Sequence, residues 1–295
     1  MPFAIPLTVI IWSILCLIWG TTWLVIKIGL ADLPPIGFAA TRFLLAAAIL
    51  FVALRVQKIP LPRSSKEWRL LAITGLLQFA LNYSLIFWGE QHITSGLAAV
   101  LQAMISVFGL LLAWIFLPSE RITPVKVLAV CVGVVGVAVI FGDQLRVQNA
   151  LAMIASVGML VSAYAASQAA VLVKARGAAM HPAVLSFGQM VCGLPPLIAY
   201  SLIVEGNPLH YHWTTRAALS VLYLALVGTV AAFWLYYWLL GKVESTKAMM
   251  ISVVTPLIAV VVGWAALGEQ LPSQTLFGGA MILASIALLA LRRGV

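Results

Sequence analysis

Long runs of apolar residues, separated by short polar stretches, recur along almost the whole chain. Each run has about 20 residues, the length that an α-helix needs to cross a hydrocarbon core about 30 Å thick. Because backbone polar groups in lipid must pair within their own segment, such runs predict helices. The pattern therefore predicts an all-α integral membrane protein with ten transmembrane helices. The runs lie approximately at 7–28, 36–54, 69–88, 94–117, 124–141, 149–173, 181–203, 215–239, 247–267 and 273–291.

The composition agrees with a membrane bundle and excludes a soluble domain. Of the 295 residues, 63% are hydrophobic and only 8% are charged, whereas a soluble globular protein carries roughly 25% charged residues. The first run has no basic leader and no evident cleavage site before Trp19-Gly20. We therefore expect it to be a retained helix rather than a signal peptide.

The net charge of +9 is explained by how the basic residues are distributed over the loops. With a cytoplasmic N-terminus, thirteen Lys and Arg residues fall in the inner loops and tail, against two, Arg146 and Arg216, in the outer loops. An excess of basic residues in cytoplasmic loops is the usual topology signal. Both termini are therefore predicted to be cytoplasmic, and no nucleic-acid partner is expected. The inner set is Arg55, Lys58, Arg63, Lys66, Arg69, Arg121, Lys126, Lys174, Arg176, Lys242, Lys247, Arg292 and Arg293.

The second half of the chain resembles the first, which indicates an internal duplication. The repeated unit has five spans, and because five is odd, the second copy enters the membrane from the other side, an arrangement common in secondary transporters. We predict two inverted five-helix repeats, 1–145 and 146–295; the alternative is chance similarity between apolar helices. A shift of about 147 residues pairs Lys27 with Lys174, Pro35 with Pro182 and Arg42 with Gln189, and a shift near 150 pairs Gln102 with Ser252, Ser106 with Pro256 and Glu120 with Glu269.

Several short motifs occur in a fixed order through both halves. They are Trp19-Gly20-Thr21-Thr22, Arg42, the stretch 243–256, Gly268-Glu269 and the stretch 278–283. With these motifs the chain resembles the drug/metabolite transporter superfamily in its ten-span EamA-type branch, and more loosely the exporters of amino acids, including aromatic ones. The resemblance implies an alternating-access carrier in a bacterial inner membrane that exports small metabolites. Nucleobases, nucleosides and cationic drugs are the alternative cargo.

Neutral polar side chains recur near the middle of several spans. An amino or carboxylate group of a ligand could bind them without the desolvation cost of a fixed protein charge. The alternative is that they hydrogen-bond between helices, contributing roughly 0.6 kcal/mol each. We favour a central cavity, because the groups come from several helices. They are Gln78, Asn82 and Tyr83 of the third span, Gln102 and Ser106 of the fourth, Tyr164, Ser167 and Gln168 of the sixth, and Ser252 and Thr255 of the ninth.

Two groups of aromatic residues are further candidates for the substrate site. Trp19 lies near the middle of its span, with Thr22 and Trp23 one turn further on. An interfacial belt places tryptophan at span ends, so it explains Trp19 poorly. Trp234 and Tyr237 lie near the end of the eighth span, where the belt explanation is preferred, although these two residues could also line the pore.

Arg42 is a fixed cation in an otherwise apolar span. Charged residues in membrane spans usually face the bundle interior or a polar cavity. Arg42 lies only about 9 Å from the end of its span, at 1.5 Å per residue, so its long side chain could instead reach the headgroups. Both placements stay open. In the second half, the position that corresponds to Arg42 holds the neutral Gln189. The cavity would then carry a charge on one side only, which would suit a ligand with a carboxylate.

The positions of the acidic residues bear on the energy source. All eight lie in loops or at span ends, so no carboxylate is placed to relay protons inside the bundle. We therefore expect a facilitator that runs down the gradient of its metabolite. Glu120 and Glu269 each lie shortly before a proline that starts a helix, and we expect them to cap helices rather than bind substrate.

Competing classes of protein have no support in the sequence. No His-Glu-x-x-His motif, Gly-x-Ser-x-Gly motif or Gly-rich phosphate loop is present, which disfavours a membrane enzyme. A channel would favour a ring of like residues from a symmetric oligomer. The three cysteines have no paired spacing, so we expect no disulfide, metal or cofactor. The expected partners are a small-molecule substrate and the lipid bilayer, and the protein is expected to be a monomer.

Overall fold

The computed structural model describes residues 6–93, 95–142, 149–267 and 273–290. Eight helices in these ranges are long and apolar enough to span a membrane, and the fifth and tenth helices are shorter. The predicted fold class, ten membrane helices in two inverted sets of five, is confirmed. The helices are α1 Leu7–Leu30, α2 Pro35–Val56, α3 Ser65–Gly89, α4 Ser95–Phe116, α5 Pro124–Ile140, α6 Ala150–Arg176, α7 Pro182–Glu205, α8 Thr215–Leu240, α9 with its two segments Ser245–Met249 and Ile251–Leu267, and α10 Ser273–Ala290.

Some sequence expectations fall outside the described residues. They concern Asp143, Arg146, Gly268, Glu269, Arg292 and Arg293. For the rest of the chain, the alternation of helix directions defines two faces of the bundle. We call the face at which α1 begins the N-face, and the face at which α1 ends the opposite face. That the N-face is cytoplasmic stays a prediction.

The third helix of each half contains a π-helical segment. In α3 the segment Leu76–Asn82 follows the regular α-helix Ser65–Gly75, and in α8 the segment Leu226–Ala231 follows Thr215–Ala225. Both regular parts have 11 residues, and the two π segments begin 150 positions apart. A π turn holds one more residue than an α turn, so it re-aims the side chains that follow, and it occurs frequently at functional sites. The two halves thus carry the same irregularity at the same place.

The two halves are interlocked, because the second helix of each packs against the third helix of the other. Arg42 of α2 donates from Nε to Oγ1 of Thr229 in α8 at 2.7 Å. Gln189 of α7 donates from Nε2 to Oγ1 of Thr74 in α3 at 2.8 Å. A Cβ atom at Gly75 would lie 2.3 Å from the carbonyl oxygen of Gln189, so the α3 and α7 backbones are in direct contact. The residues that the sequence pairs, Arg42 and Gln189, therefore occupy related places.

Candidate functional site

A cavity of about 140 Å³ lies between the two halves, among α1, α2, α3, α4, α6, α8 and α9. A single water needs only about 10–15 Å³ measured in this way, so the cavity has room for a small metabolite. Most of its wall is apolar, with a few polar groups, as expected of a ligand pocket. Nine of the fourteen candidate residues line it: Trp19, Thr22, Trp23, Arg42, Gln78, Asn82, Tyr83, Gln102 and Ser252.

The cavity lies at mid-depth between the two faces of the bundle. Its lining residues fall within 19–26 of α1, 78–86 of α3 and 99–105 of α4, in the halves of these helices nearer the opposite face. The lining residues of the second half fall within 233–236 of α8 and 248–256 of α9, in the halves of these helices nearer the N-face. The cavity is therefore central, as expected of a site between two inverted repeats.

Arg42 is the cation of this cavity, and its side chain is only 1% exposed. Its Nη2 donates to the carbonyl oxygen of Gly228 at 3.1 Å, in addition to the bond from Nε to Thr229. Its guanidinium carbon lies 5.0 Å from the ring centre of Phe43 and 5.1 Å from that of Tyr83, within the range of cation–π attraction. Arg42 therefore does not reach the membrane surface, which was the alternative that the sequence left open.

Aromatic rings form a continuous part of the cavity wall. The Phe233 ring lies 5.7 Å from Trp19 and 6.4 Å from Tyr83, measured between ring centres. Tyr236 lies 5.3 Å from Trp19 on the same side. These separations are in the range in which aromatic pairs attract each other. The wall therefore runs from Trp19 across Phe233 to Tyr83, whose ring lies beside Arg42.

Several of the predicted amides are partly used in hydrogen bonds between helices. Ser162 of α6 donates to Oδ1 of Asn82 at 2.8 Å and accepts from Nε2 of Gln102 at 2.6 Å. The sequence offered cavity lining and interhelical bonding as alternatives, and Asn82 and Gln102 do both. Gln78 is half-buried and lines the same wall. The network fixes two amides in place at the edge of the cavity.

The floor of the cavity is made by α4 and α9. Ser106 shares a hydrogen bond of 3.0 Å with Ser252 and donates to the carbonyl oxygen of Met249 at 3.1 Å. Nearer the N-face, the indole Nε1 of Trp12 donates to the carbonyl oxygen of Lys247 at 3.0 Å. These contacts fill the space between the cavity and the N-face.

Polar contacts at the N-face join the two halves of the bundle. The buried carboxylate of Glu120 accepts hydrogen bonds from the backbone nitrogen of Ser245 at 2.9 Å and from its hydroxyl at 2.5 Å. Lys126 pairs with Glu244 at 2.7 Å. Glu120 thus caps the first turn of α9, in the other half, whereas α5 is capped by Thr123. The expectation that Glu120 caps a helix is correct, but the helix is not the next one in the chain.

At the opposite face, a second set of contacts joins the two halves. Asp32 accepts from Nε and Nη2 of Arg216 at 2.6 and 2.7 Å, and from the hydroxyl of Thr214 at 2.5 Å. The hydrogen bonds from Arg216 and then Thr214 hold the pKa of Asp32 well below its usual range. Glu205 accepts from the backbone nitrogens of Ile36 and Gly37 and so caps α2. These contacts tie the α1–α2 connection to α7 and α8.

Five candidate residues lie outside the cavity, and two of them, Tyr164 and Gln168, are on α6. Tyr164 is 44% exposed on the outside of the bundle, where its ring contacts Phe108 and its hydroxyl is 3.5 Å from Gln168. The α6 residue that lines the cavity is Ala166. Tyr164 and Gln168 share a face, as the helical period requires, but it is not the face that meets the cavity. Polarity alone does not show which face of a helix is turned inward.

The other three, Gln189, Trp234 and Tyr237, lie on α7 and α8. Gln189 is buried and accepts a hydrogen bond from the hydroxyl of Tyr237, in addition to its bond with Thr74. It therefore does not form the neutral side of the cavity. Trp234 packs against the ring of His181 near the N-face. The residues of α8 that line the cavity are Phe233 and Tyr236 instead.

Sequence reasoning missed Phe233 and Tyr236 because of the π segment that precedes them. Leu226–Ala231 changes the angular phase of α8 relative to a regular helix, so a 3.6-residue period does not show which aromatic residues of this helix face inward. The partners of Arg42, Gly228 and Thr229, lie in the same segment. The sequence feature that could have indicated this segment is a glycine followed by a threonine, Gly228-Thr229, within a span rich in aromatic residues.

Metal ligands do not cluster in the described part of the chain. No group of three or more His, Cys, Asp or Glu side chains there could hold a metal ion. The lining residues of the cavity also include no Asp, Glu or His. Arg42 is thus the only ionisable cation among them, and no acidic group faces it across the cavity.

Comparison with known proteins identifies related transporters. The EamA-like transporter family matches two segments of the chain, residues 7–142 and 153–291. A probable amino-acid metabolite efflux pump of Salmonella typhimurium is 33% identical over 287 residues, covering 91% of this chain and 90% of its own length. The uncharacterized transporter YoaV of Bacillus subtilis is 27% identical over 270 residues, 92% of either chain. A solved structure, described as the crystal structure of a protein, aligns with this chain at a TM-score of 0.83 and 17% identity. The alignment covers 96% of both chains, so the two proteins share a fold.

Proposed function

Because this chain belongs to the EamA-like transporter family, and is therefore a multi-pass membrane transporter, we propose that it exports small metabolites, foremost amino acids including aromatic ones. The proposal draws on the relative in Salmonella typhimurium that is named a probable amino-acid metabolite efflux pump. The aromatic wall of the cavity and its single cation fit such cargo. A buried apolar surface favours the side chain, and a cation favours the carboxylate.

One observation carries the proposal of alternating access. The cavity lies between the halves, and the buried contacts of Glu120 with Ser245 and of Ser106 with Ser252 separate it from the N-face. We propose that this conformation is closed at the N-face, because a carrier needs states in which the central site communicates with one side only. Exchange between two such states requires the halves to move relative to each other, and the division at 145/146 is the proposed boundary.

The direction of transport follows from the orientation in the membrane. With the N-face in the cytoplasm, as the distribution of basic residues predicts, a conformation closed at the N-face is the one that releases cargo outward. The membrane is then the bacterial inner membrane, in which some relatives are named as transporters. Impermeant labelling of an added terminal tag in intact cells and in inside-out vesicles tests this orientation. A tag that reacts in intact cells would reverse the proposed direction.

We further propose that the metabolite gradient drives transport. The cavity lining has no carboxylate or histidine that could carry a proton. Uptake into proteoliposomes with and without an imposed pH gradient, at zero membrane potential, tests this. Equal rates are expected, and a strong dependence on the gradient would contradict the proposal.

A substrate panel tests the choice of cargo. Purified protein in liposomes loaded with a labelled amino acid, nucleobase or organic cation should release the amino acid faster than protein-free liposomes do. Phenylalanine and tryptophan are expected to be released faster than glutamate, because the wall is aromatic and has one cation. Release of the nucleobase or the cation alone would replace amino acids by the alternative cargo.

A further inference from the structure

Two buried hydrogen-bond donors on the cavity wall have no partner in the described part of the protein. They are Nη1 of Arg42 and the indole Nε1 of Trp19. Both residues line the cavity. A buried donor without an acceptor costs about 1–3 kcal/mol, more for a charged group, and buried polar groups in native proteins nearly always have a partner. Two such donors at one cavity indicate that a ligand supplies the acceptors.

The two donors belong to the same part of the wall. Thr22, one turn from Trp19 on α1, lies next to Arg42, because a Cβ atom at Gly228 would contact Thr22 at 3.0 Å and Nη2 of Arg42 at 3.4 Å. The ring of Phe233 lies close to Trp19 and to Tyr83, the ring beside the guanidinium. Trp19 and Arg42 therefore both lie beside the aromatic surface that Phe233 and Tyr83 form.

The other two nitrogens of the Arg42 guanidinium already have partners. Nε donates to Thr229 and Nη2 to Gly228, so the guanidinium is fixed in orientation and Nη1 is the nitrogen that has no partner among the described residues. A fixed cation binds without losing side-chain freedom, which favours affinity. Because the lining residues include no acid, the positive charge has no counter-charge within the cavity.

We propose that Nη1 of Arg42 and Nε1 of Trp19 together bind the carboxylate of the transported metabolite, and that the site selects for a carboxylate beside an apolar or aromatic group. This rests on the proposed function and narrows it to a class of cargo. A carboxylate has two acceptor oxygens, enough for both donors, and its charge offsets that of the guanidinium. A ligand whose only charge is an ammonium meets a cation and no acid, so it is excluded.

Binding of four matched probes to the purified wild-type protein tests the proposal. They share a phenyl ring and differ in charge: 3-phenylpropanoate, phenylalanine, 3-phenylpropanamide and 2-phenylethylamine. We expect the two carboxylates to bind at least tenfold more tightly than the amide and the amine. We also expect 3-phenylpropanoate to bind at least as tightly as phenylalanine, because the cavity has no acid for the ammonium.

Trp19→Phe is the sharpest variant, because it removes the indole donor and keeps an aromatic ring, and the amide probe reports what the smaller ring costs by itself. It should weaken binding of 3-phenylpropanoate on the order of tenfold more than binding of the amide. Trp114→Phe is the matched control, since Trp114 is 65% exposed and lies away from the cavity. Arg42→Gln should remove the preference for the acid over the amide, and where that variant does not fold, Trp19→Phe decides.

Equal binding of acid and amide to the wild type would overturn the proposal, and so would a Trp19→Phe variant that loses no more affinity for the acid than for the amide. The donors would then hold only water. These results are separate from those on transport. If amino acids are exported while acid and amide bind equally, the proposed function stands and this site does not. If no amino acid is exported but 3-phenylpropanoate binds in a Trp19-dependent way, the site stands and the cargo is another carboxylate.

Discussion

Nε of Arg42 donates to the hydroxyl of Thr229 at 2.7 Å and so joins the second helix of one half to the π segment of the other half. This hydrogen bond gives a buried cation an acceptor, and it has two further consequences. It fixes the guanidinium at the wall of the cavity and links the two parts of the chain that must move relative to each other in a carrier. We therefore expect stability and transport to be coupled at this contact.

Thr229→Val should lower the free energy of unfolding by about 1–3 kcal/mol, because it leaves the buried Nε of Arg42 without its acceptor. Unfolding followed by tryptophan fluorescence in detergent measures this. Thr41→Val is the matched control, since the Thr41 hydroxyl bonds, among the described residues, only to the carbonyl of Gly37 within its own helix. Equal effects of the two substitutions would mean that the contact between the halves contributes no more than a local helix bond.

Gly75→Ala should destabilise the protein, because the new Cβ would lie 2.3 Å from the carbonyl oxygen of Gln189 and the α3 and α7 backbones would have to separate. We expect a loss of about 1–3 kcal/mol from overpacking. Gly158→Ala provides the comparison, since the nearest atom there is a leucine methyl at 3.4 Å and alanine favours the helix. Similar melting temperatures for both variants would contradict the close contact of α3 with α7.

Glu120→Gln should favour opening at the N-face, because hydrogen bonds to an ionised carboxylate are roughly twice as strong as those to a neutral group. The test is the labelling rate of a cysteine placed at Ser252, with the native cysteines replaced, by an impermeant maleimide added from the N-face. We expect a several-fold increase over the parent. Glu67→Gln is the control at the same face, because in the part of the chain that the structure describes the Glu67 carboxylate bonds only to Ser64, three positions earlier. No increase in Glu120→Gln would show that this contact does not hold the N-face closed.

Glu90, just beyond the end of α3, should make the stability depend on pH. Burial raises the pKa of this carboxyl from 4.5 to about 8, partly offset by the charge of Lys27, and its Oε1 has no partner among the described residues. The folded protein thus keeps a proton that the unfolded chain releases, so this group favours folding at low pH, and that contribution falls as the pH rises from about 4.5 to 8. Melting temperatures at pH 5 and pH 8.5 should differ less in Glu90→Gln than in the wild type. The same difference in both would contradict the prediction.

Much of the fold could be predicted from the sequence, because a membrane span has a strong signal in length and hydropathy. The positions of Trp19, Gln78 and Asn82 at the cavity could also be predicted, since an interfacial belt does not explain a tryptophan in the middle of a span and polar groups of several helices recur at that depth. Arg42 left two placements open, and only the structure shows that its side chain is buried.

What could not be predicted depends on irregular backbone and on contacts between distant residues. The residues of α8 that line the cavity are Phe233 and Tyr236 rather than Trp234 and Tyr237, because the π segment Leu226–Ala231 changes the phase of this helix. The capping of α9 by Glu120 joins residues 125 positions apart, which the local pattern around Pro124 does not reveal. Helical periodicity describes one regular helix at a time, and these features belong to pairs of helices.

The most direct test of the account is counterflow in proteoliposomes. Vesicles preloaded with unlabelled phenylalanine should take up labelled phenylalanine faster than empty vesicles. The reason is that a carrier with substrate bound moves its binding site back across the membrane faster than an empty carrier does. Ala166→Trp, which fills the cavity from α6, should abolish this acceleration. Equal uptake into loaded and empty vesicles would contradict a carrier with a central site, and unchanged counterflow in Ala166→Trp would show that the cavity between the halves is not that site.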